Sequence, residues 1–250
     1  MKNFFILFAI VAFMGSCKKE DNNKGNVYKG TEVSFWKGKA WTSVKLNTDG
    51  TPDQMILTLD NDVLSSVAMS DSTSTQHYAD NANIPLPKEA PAPFSFIMLD
   101  WNPHGHPPAH IYDKPHFDMH FYMTPETEVM GYMDSAKMMI NPGADYLPAN
   151  YIGANPVPMM GKHWMDATSG ELHGQTFTQT FLYGSYNGQV VFYEPMVTLD
   201  FLKNTSDFQR PIPQPAKVQK AGYYPTKLHI TTHDNRTDII LEGFTYREAS

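Results

Sequence analysis

One cysteine in 250 residues rules out an intrachain disulfide, and with it zinc-finger and iron–sulfur sites, which need several thiolates. Any metal bound by this chain is therefore held by nitrogen and oxygen. Arginine is almost as scarce: Arg210, Arg236 and Arg247 are the only three, against 26 acidic residues and a net charge of −7. A nucleic-acid binder is expected to carry a basic face, so no nucleic-acid partner is expected. After the first residues, no apolar run approaches the roughly 20 residues of a membrane-spanning helix. Phosphate-cradling and dinucleotide-binding glycine loops do not occur. The segment Gly184-Ser185-Tyr186-Asn187-Gly188 has a superficial likeness to a nucleophile elbow. Its spacing differs, and it leads into an Asn-Gly hairpin turn instead of a helix.

The start of the chain reads as an export signal. Lys2 precedes an unbroken apolar run from Phe4 to Met14, and small residues lead to the single cysteine in Met14-Gly15-Ser16-Cys17. This pattern predicts a bacterial lipobox, with Met14 where leucine is usual, cleaved before Cys17 and acylated on it. The alternative is an ordinary signal peptide in which Cys17 is incidental. Residues 1–16 are thus read as signal peptide, 17–26 as lipidated cysteine and polar tether, and 27–250 as one β-rich domain. Lys18-Lys19-Glu20-Asp21 resembles the lysine-plus-acidic signal that sends bacterial lipoproteins to the cell surface. The expectation is a cell-envelope, outer-membrane lipoprotein, surface-exposed and held to the membrane through Cys17.

The remaining 41% hydrophobic, 13% aromatic chain can bury a sizeable core. Ala40 to Leu46 alternates, Asp49-Gly50 offers a turn, and Met55, Leu57 and Leu59 alternate on the return. Asn61 is placed to cap a short helix through Val67. Ser70 to Ala82 and Ile84 to Pro93 read as loop, Phe94 to Trp101 as a hydrophobic strand, and Thr124-Pro125-Glu126 as a helix start. Asn141 to Pro158 reads as a long loop. The clearest hairpin runs from Thr178 to Tyr193 across Asn187-Gly188. A last one pairs Lys227 to Thr232 with Thr237 to Thr245. The fold class is all-β, a sandwich or barrel that could be cupin-like, with one to three short helices.

Chemistry concentrates in one stretch. Five of the 10 histidines lie between His104 and His120. At period two, His116, Asp118, His120 and Tyr122 share one face of a strand, and Phe117, Met119, Phe121 and Met123 share the other. Imidazoles and a carboxylate on one face either ligate a metal, run proton chemistry or form a buried hydrogen-bond network. Residues four apart on a straight strand are separated by roughly 13 Å, so His116 and His120 cannot share one ion unless the strand bends. Further ligands must come from elsewhere. His106 follows Gly105, where the backbone can turn sharply. His163 ends the long loop shortly after Gly161, and Glu194 ends an apolar strand face where a lone buried charge would be costly.

The metal-site candidates are therefore His106, His116, His120, His163 and Glu194. Glu194 and Asp118 are the candidate bases acting on a metal-bound water. The implied cofactor is one divalent transition metal, zinc, iron, manganese or copper. The cupin spacing His-x-His is absent, which limits that comparison to architecture. The alternative is a metal-free network in a structural or small-ligand-binding lipoprotein. The 15 methionines raise copper handling as an option, but Met119 and Met123 sit on the packing face, where methionine fills gaps.

Asp100-Trp101-Asn102-Pro103-His104-Gly105-His106, Tyr112 to Tyr122, Met160 to Trp164, Phe181 to Gly188 and Phe192 to Met196 together resemble an uncharacterised bacterial family, the TTHB-like domain of unknown function. The resemblance implies a secreted or lipid-anchored, β-rich homo-oligomer with no assigned reaction. It points to His106, His116, Asp118, His120, His163 and Glu194 as the pattern-bearing polar positions, and leaves out His110.

Overall fold

The computed structural model describes residues 26–68, 80–233 and 235–250. The export signal, Cys17 and nearly all of the tether lie outside the described residues. The chain runs through β1 (Val27–Lys29), β2 (Val33–Phe35), β3 (Gly38–Leu46), β4 (Pro52–Asp60), helix α1 (Asn61–Ala68) and β5 (Asn81–Pro85). It continues through β6 (Phe96–Asn102), β7 (His116–Tyr122), the one-turn helices α2 (Glu126–Val129) and α3 (Ser135–Met138), and β8 (Tyr151–Val157). Next come β9 (Gly161–Asp166), β10 (Gln179–Tyr186), β11 (Gln189–Thr198) and α4 (Leu199–Asn204). The last elements are β12 (Asp207–Pro211), β13 (Gly222–Tyr224), β14 (Lys227–His233), β15 (Arg236–Glu242) and β16 (Thr245–Arg247).

Antiparallel pairing sorts these strands into two seven-stranded sheets and a β13–β16 ribbon. The first sheet has the order β1-β3-β4-β15-β14-β12, with β2 also paired to β3. The second has the order β5-β6-β7-β11-β10-β9-β8. Alternation explains how they pack as a sandwich. In the first sheet, Ala40 pairs with Leu59, Leu57 with Ile239, and Met55 with Leu241, which lines up apolar side chains on one face. They share a core with Leu99, Phe117, Met119, Phe121 and Tyr193 of the second sheet. The architecture is all-β, as the alternation predicts.

Strand β7 is central in its sheet, and all seven of its residues are buried. Its odd-numbered side chains enter the inter-sheet core. Its even-numbered ones lie on the far side, beneath two smaller clusters. One contains Phe96, Tyr122, Tyr132 and Phe192, and the other Tyr112, Met165, Leu182 and Met196. The polar face is thus outside the sandwich interior, unlike the interior site of a cupin-like barrel.

The turns follow their chemistry. Asn187 and Gly188 both adopt positive φ, 51° and 75°, which suits a tight hairpin turn. The first turn of α1 is capped by Asp60 instead of Asn61: its Oδ1 accepts the Val63 N–H at 3.0 Å. Three expected loops overlap strands, and residues 70–79 of the first lie outside the described residues. Asn81–Pro85 forms edge strand β5, and Tyr151–Val157 forms edge strand β8. Both carry proline, which removes a backbone donor and mimics a loop signal, yet an edge strand tolerates it.

Candidate metal centre

The sheet register assembles the site. Strand β6 sets Asp100 opposite Asp118 and Asn102 opposite His116. Strand β11 sets Met196 opposite Asp118 and Tyr193 opposite Phe121, and the same register brings Glu194 beside His120. Leu182 of β10 faces Glu194, and Gly184 faces His163 of β9. His106 arrives from the loop between β6 and β7. Gly105 turns there with φ 70°, and a Cβ at that position would collide with the Tyr112 carbonyl oxygen. The His106 N–H then bonds that carbonyl at 3.3 Å. Gly161, at φ 117°, makes the corresponding turn into β9 ahead of His163.

The six expected residues come together as two groups, His106 with His116 and Asp118, and His120 with His163 and Glu194. In each group the candidate ligand atoms lie within 4.8 Å of one another. The residues expected in one cluster thus lie in two groups, each of which could hold an ion. The straight strand keeps His116 and His120 apart, and each recruits its own partners. In the first group Asp118 Oδ1 is 3.1 Å from His116 Nε2, and Oδ2 is 3.1 Å from His106 Nε2. In the second, Glu194 Oε1 is 3.3 Å from His120 Nε2, and Oε2 is 3.6 Å from His163 Nε2. Ligand atoms about 2.1 Å from a shared tetrahedral ion are separated by roughly 3.4 Å.

Several of these close pairs are not hydrogen bonds. His116 Nε2, Asp118 Oδ1, both ring nitrogens of His120 and Glu194 Oε2 are buried without a hydrogen-bond partner. Buried polar atoms are nearly always paired, so their concentration marks a place in each group that calls for a cation or a proton, with His120 Nδ1 turned to Asp100. The surrounding bonds fix the rings accordingly. His116 Nδ1 donates to the Lys114 carbonyl at 2.6 Å, and His106 Nδ1 donates to the Pro107 carbonyl at 2.7 Å. In the neutral ring each Nε2 then carries a lone pair facing Asp118. Lone pairs facing a carboxylate require a cation or a proton between them. Asn102 Nδ2 donates to Asp118 Oδ2 at 2.9 Å and holds the carboxylate in place. Asp100 Oδ2 lies 3.3 Å from His120 Nδ1, the position of a carboxylate that orients a ligating histidine. The Phe192 ring contacts His120 and His163 edge-on, at centroid distances of 4.9 and 5.1 Å.

The electrostatics reflect crowded charge in a buried place. Burial pulls His106 and His120 down, but the facing carboxylates outweigh it and lift both to about 9. Burial pushes Asp118 up, and His106 and His116 overcome it, leaving Asp118 well below the usual carboxylate range. Glu194 is raised to about 8 by burial, against the pull of His120. His163 is lowered to about 3 by burial, with the charge of His120 adding to it. Excess negative charge is thus met by protons in the protein alone.

A cavity of about 550 Å³ lies over both groups, bordered by Asp100, Asn102, His106, Asp118, His163 and Glu194. No family model matches the chain, and neither a curated protein nor a solved structure does. The site therefore stands on its own chemistry. His104 and His110 are exposed, and His110 lies beside Asp113, away from the six. Met119 and Met123 are buried in the core, whereas Met160 and Met165 line the cavity. Sequence reasoning missed Asp100, Asn102 and Tyr112 as site residues. The first two had a readable signal, because Met98, Asp100 and Asn102 alternate onto the histidine-bearing face. Tyr112 depends on the course of the loop, which no periodicity reports.

Proposed function

We propose that this chain is an exported envelope lipoprotein whose two histidine–carboxylate groups bind divalent transition metal and activate water for a metal-dependent reaction. The observation that carries this reading is the set of buried, unpartnered ligand atoms at ligand-like spacing. His106 Nε2 and Asp118 Oδ2 do meet in a hydrogen bond at 3.1 Å, but a metal-free network would pair the remaining buried atoms in line as well. Two histidines and a carboxylate leave coordination positions open, and such a set suits zinc, iron, manganese or copper. A bound ion lowers the pKa of its water toward neutrality. Both oxygens of Asp118 and of Glu194 face ring nitrogens, so either carboxylate would take a proton by releasing one of those contacts. Acylation of Cys17, outer-membrane attachment and surface display complete the proposal, together with assembly into a homo-oligomer.

Calorimetric titration of zinc into chelator-stripped protein carrying no histidine tag tests the reading. Two saturable binding events are expected. His120→Ala removes one, His106→Ala removes the other, and His110→Ala changes neither. Absence of saturable binding in the folded wild-type protein would overturn the proposal.

A further inference from the structure

Resting on the metal reading above, we infer that the cavity takes a small, mostly apolar molecule carrying one oxygen-bearing head group. The walls divide by chemistry. On the strand face lie His106, Asp118, His163 and Glu194 of the two groups, with Asp100 and Asn102. Beside them, Pro107, Pro108, Ala154, Pro156, Met165 and Leu182 contribute apolar side chains, with Asn155 the one amide among them. Neither lysine nor arginine is among the described residues of the lining. The lining instead offers three carboxylates, Asp100, Asp118 and Glu194, so a polyanionic ligand would have only the metal to meet its charge.

The size also fits. A volume of about 550 Å³ falls in the range of roughly 300–1,000 Å³ common to small-molecule sites, which pair apolar walls with a few convergent polar groups. One such group is still unassigned. The Tyr112 side chain is 1% exposed, lines the cavity beside the His106 and His116 rings, and has a hydroxyl with no hydrogen-bond partner. A buried hydroxyl is rarely left unpaired, so it supplies a donor to an oxygen of the head group. The apolar tail extends toward the mouth, where Val157 and Met160 of the β8–β9 hairpin form the rim.

The test uses the full chain loaded with zinc, its metal content measured before titration. Straight-chain hydroxamic acids from acetohydroxamic to octanohydroxamic acid are the probes, with inorganic phosphate for comparison. Affinity should rise about threefold to fourfold for each methylene that the cavity buries, and phosphate should bind at least tenfold more weakly than the longest probe. Ala154→Asn on the edge strand and Leu182→Asn deeper in the wall should each flatten that gradient; either suffices if the other fails to fold. Affinity independent of chain length, or phosphate bound as tightly as octanohydroxamic acid, would overturn the inference. If the protein retains no zinc, the metal reading fails separately, and a series from butanol to octanol decides the cavity alone. A gradient supports the apolar ligand, and a flat response rejects it.

Discussion

At position 184 a glycine is dictated by a ring. A Cβ there would collide with Phe192, and that ring is packed against His120 and His163. Gly184→Ala should therefore displace the ring or the strand, at a cost of about 1–3 kcal/mol for an overpacked core. Calorimetry should show a lower Tm, and zinc titration should show the His120 group weakened while the His106 group still binds. Asn102 acts on the other group through its hydrogen bond to Asp118. Asn102→Leu should lower metal affinity there by roughly 10–100-fold, the usual effect of losing a partner that orients a ligand. Unchanged titration curves would contradict that role.

Among the elements, β7 was the most legible, because alternating polar and apolar residues can mean only one thing on a strand. Its burial on both faces was not legible. That depends on the loop bearing His106 and on the β8–β9 hairpin, whose prolines and glycines read as irregular chain. The distance argument along β7 separated His116 and His120 unless the strand bends, and they do fall in different groups, but it could not foresee the partners of each, since strand order is set by long-range pairing. The β4, β14 and β15 strands hold a different charge cluster. Glu242 is within 2.6 Å of Lys227 Nζ and accepts from Gln54 Nε2 at 2.8 Å. Burial raises its pKa, but these partners win and leave it lowered. A depressed folded pKa gives stability that is present above the unfolded carboxylate value of about 4.3 and lost as pH falls through the folded one. The stability gap between wild type and Glu242→Gln should be open at pH 7 and close below about pH 4 in denaturant titrations. A gap that persists at low pH would contradict this.

On the scale of the whole molecule, one sheet of the sandwich does two jobs. Its inner face supplies half of the core, and its outer face gathers histidines and carboxylates from β7, β9, β11 and the β6–β7 loop. Metal should therefore stabilise the entire domain, because three segments distant in sequence, around His106–His120, His163 and Glu194, converge on the two groups and the unfolded chain lacks that arrangement. The most direct test is the metal content of the protein as isolated without a histidine tag, measured by elemental analysis, with Tm recorded before and after a chelator. The account predicts up to two equivalents of a divalent transition metal per chain and a clear fall in Tm when it is removed. Less than about a tenth of an equivalent, with Tm unchanged by the chelator, would contradict it.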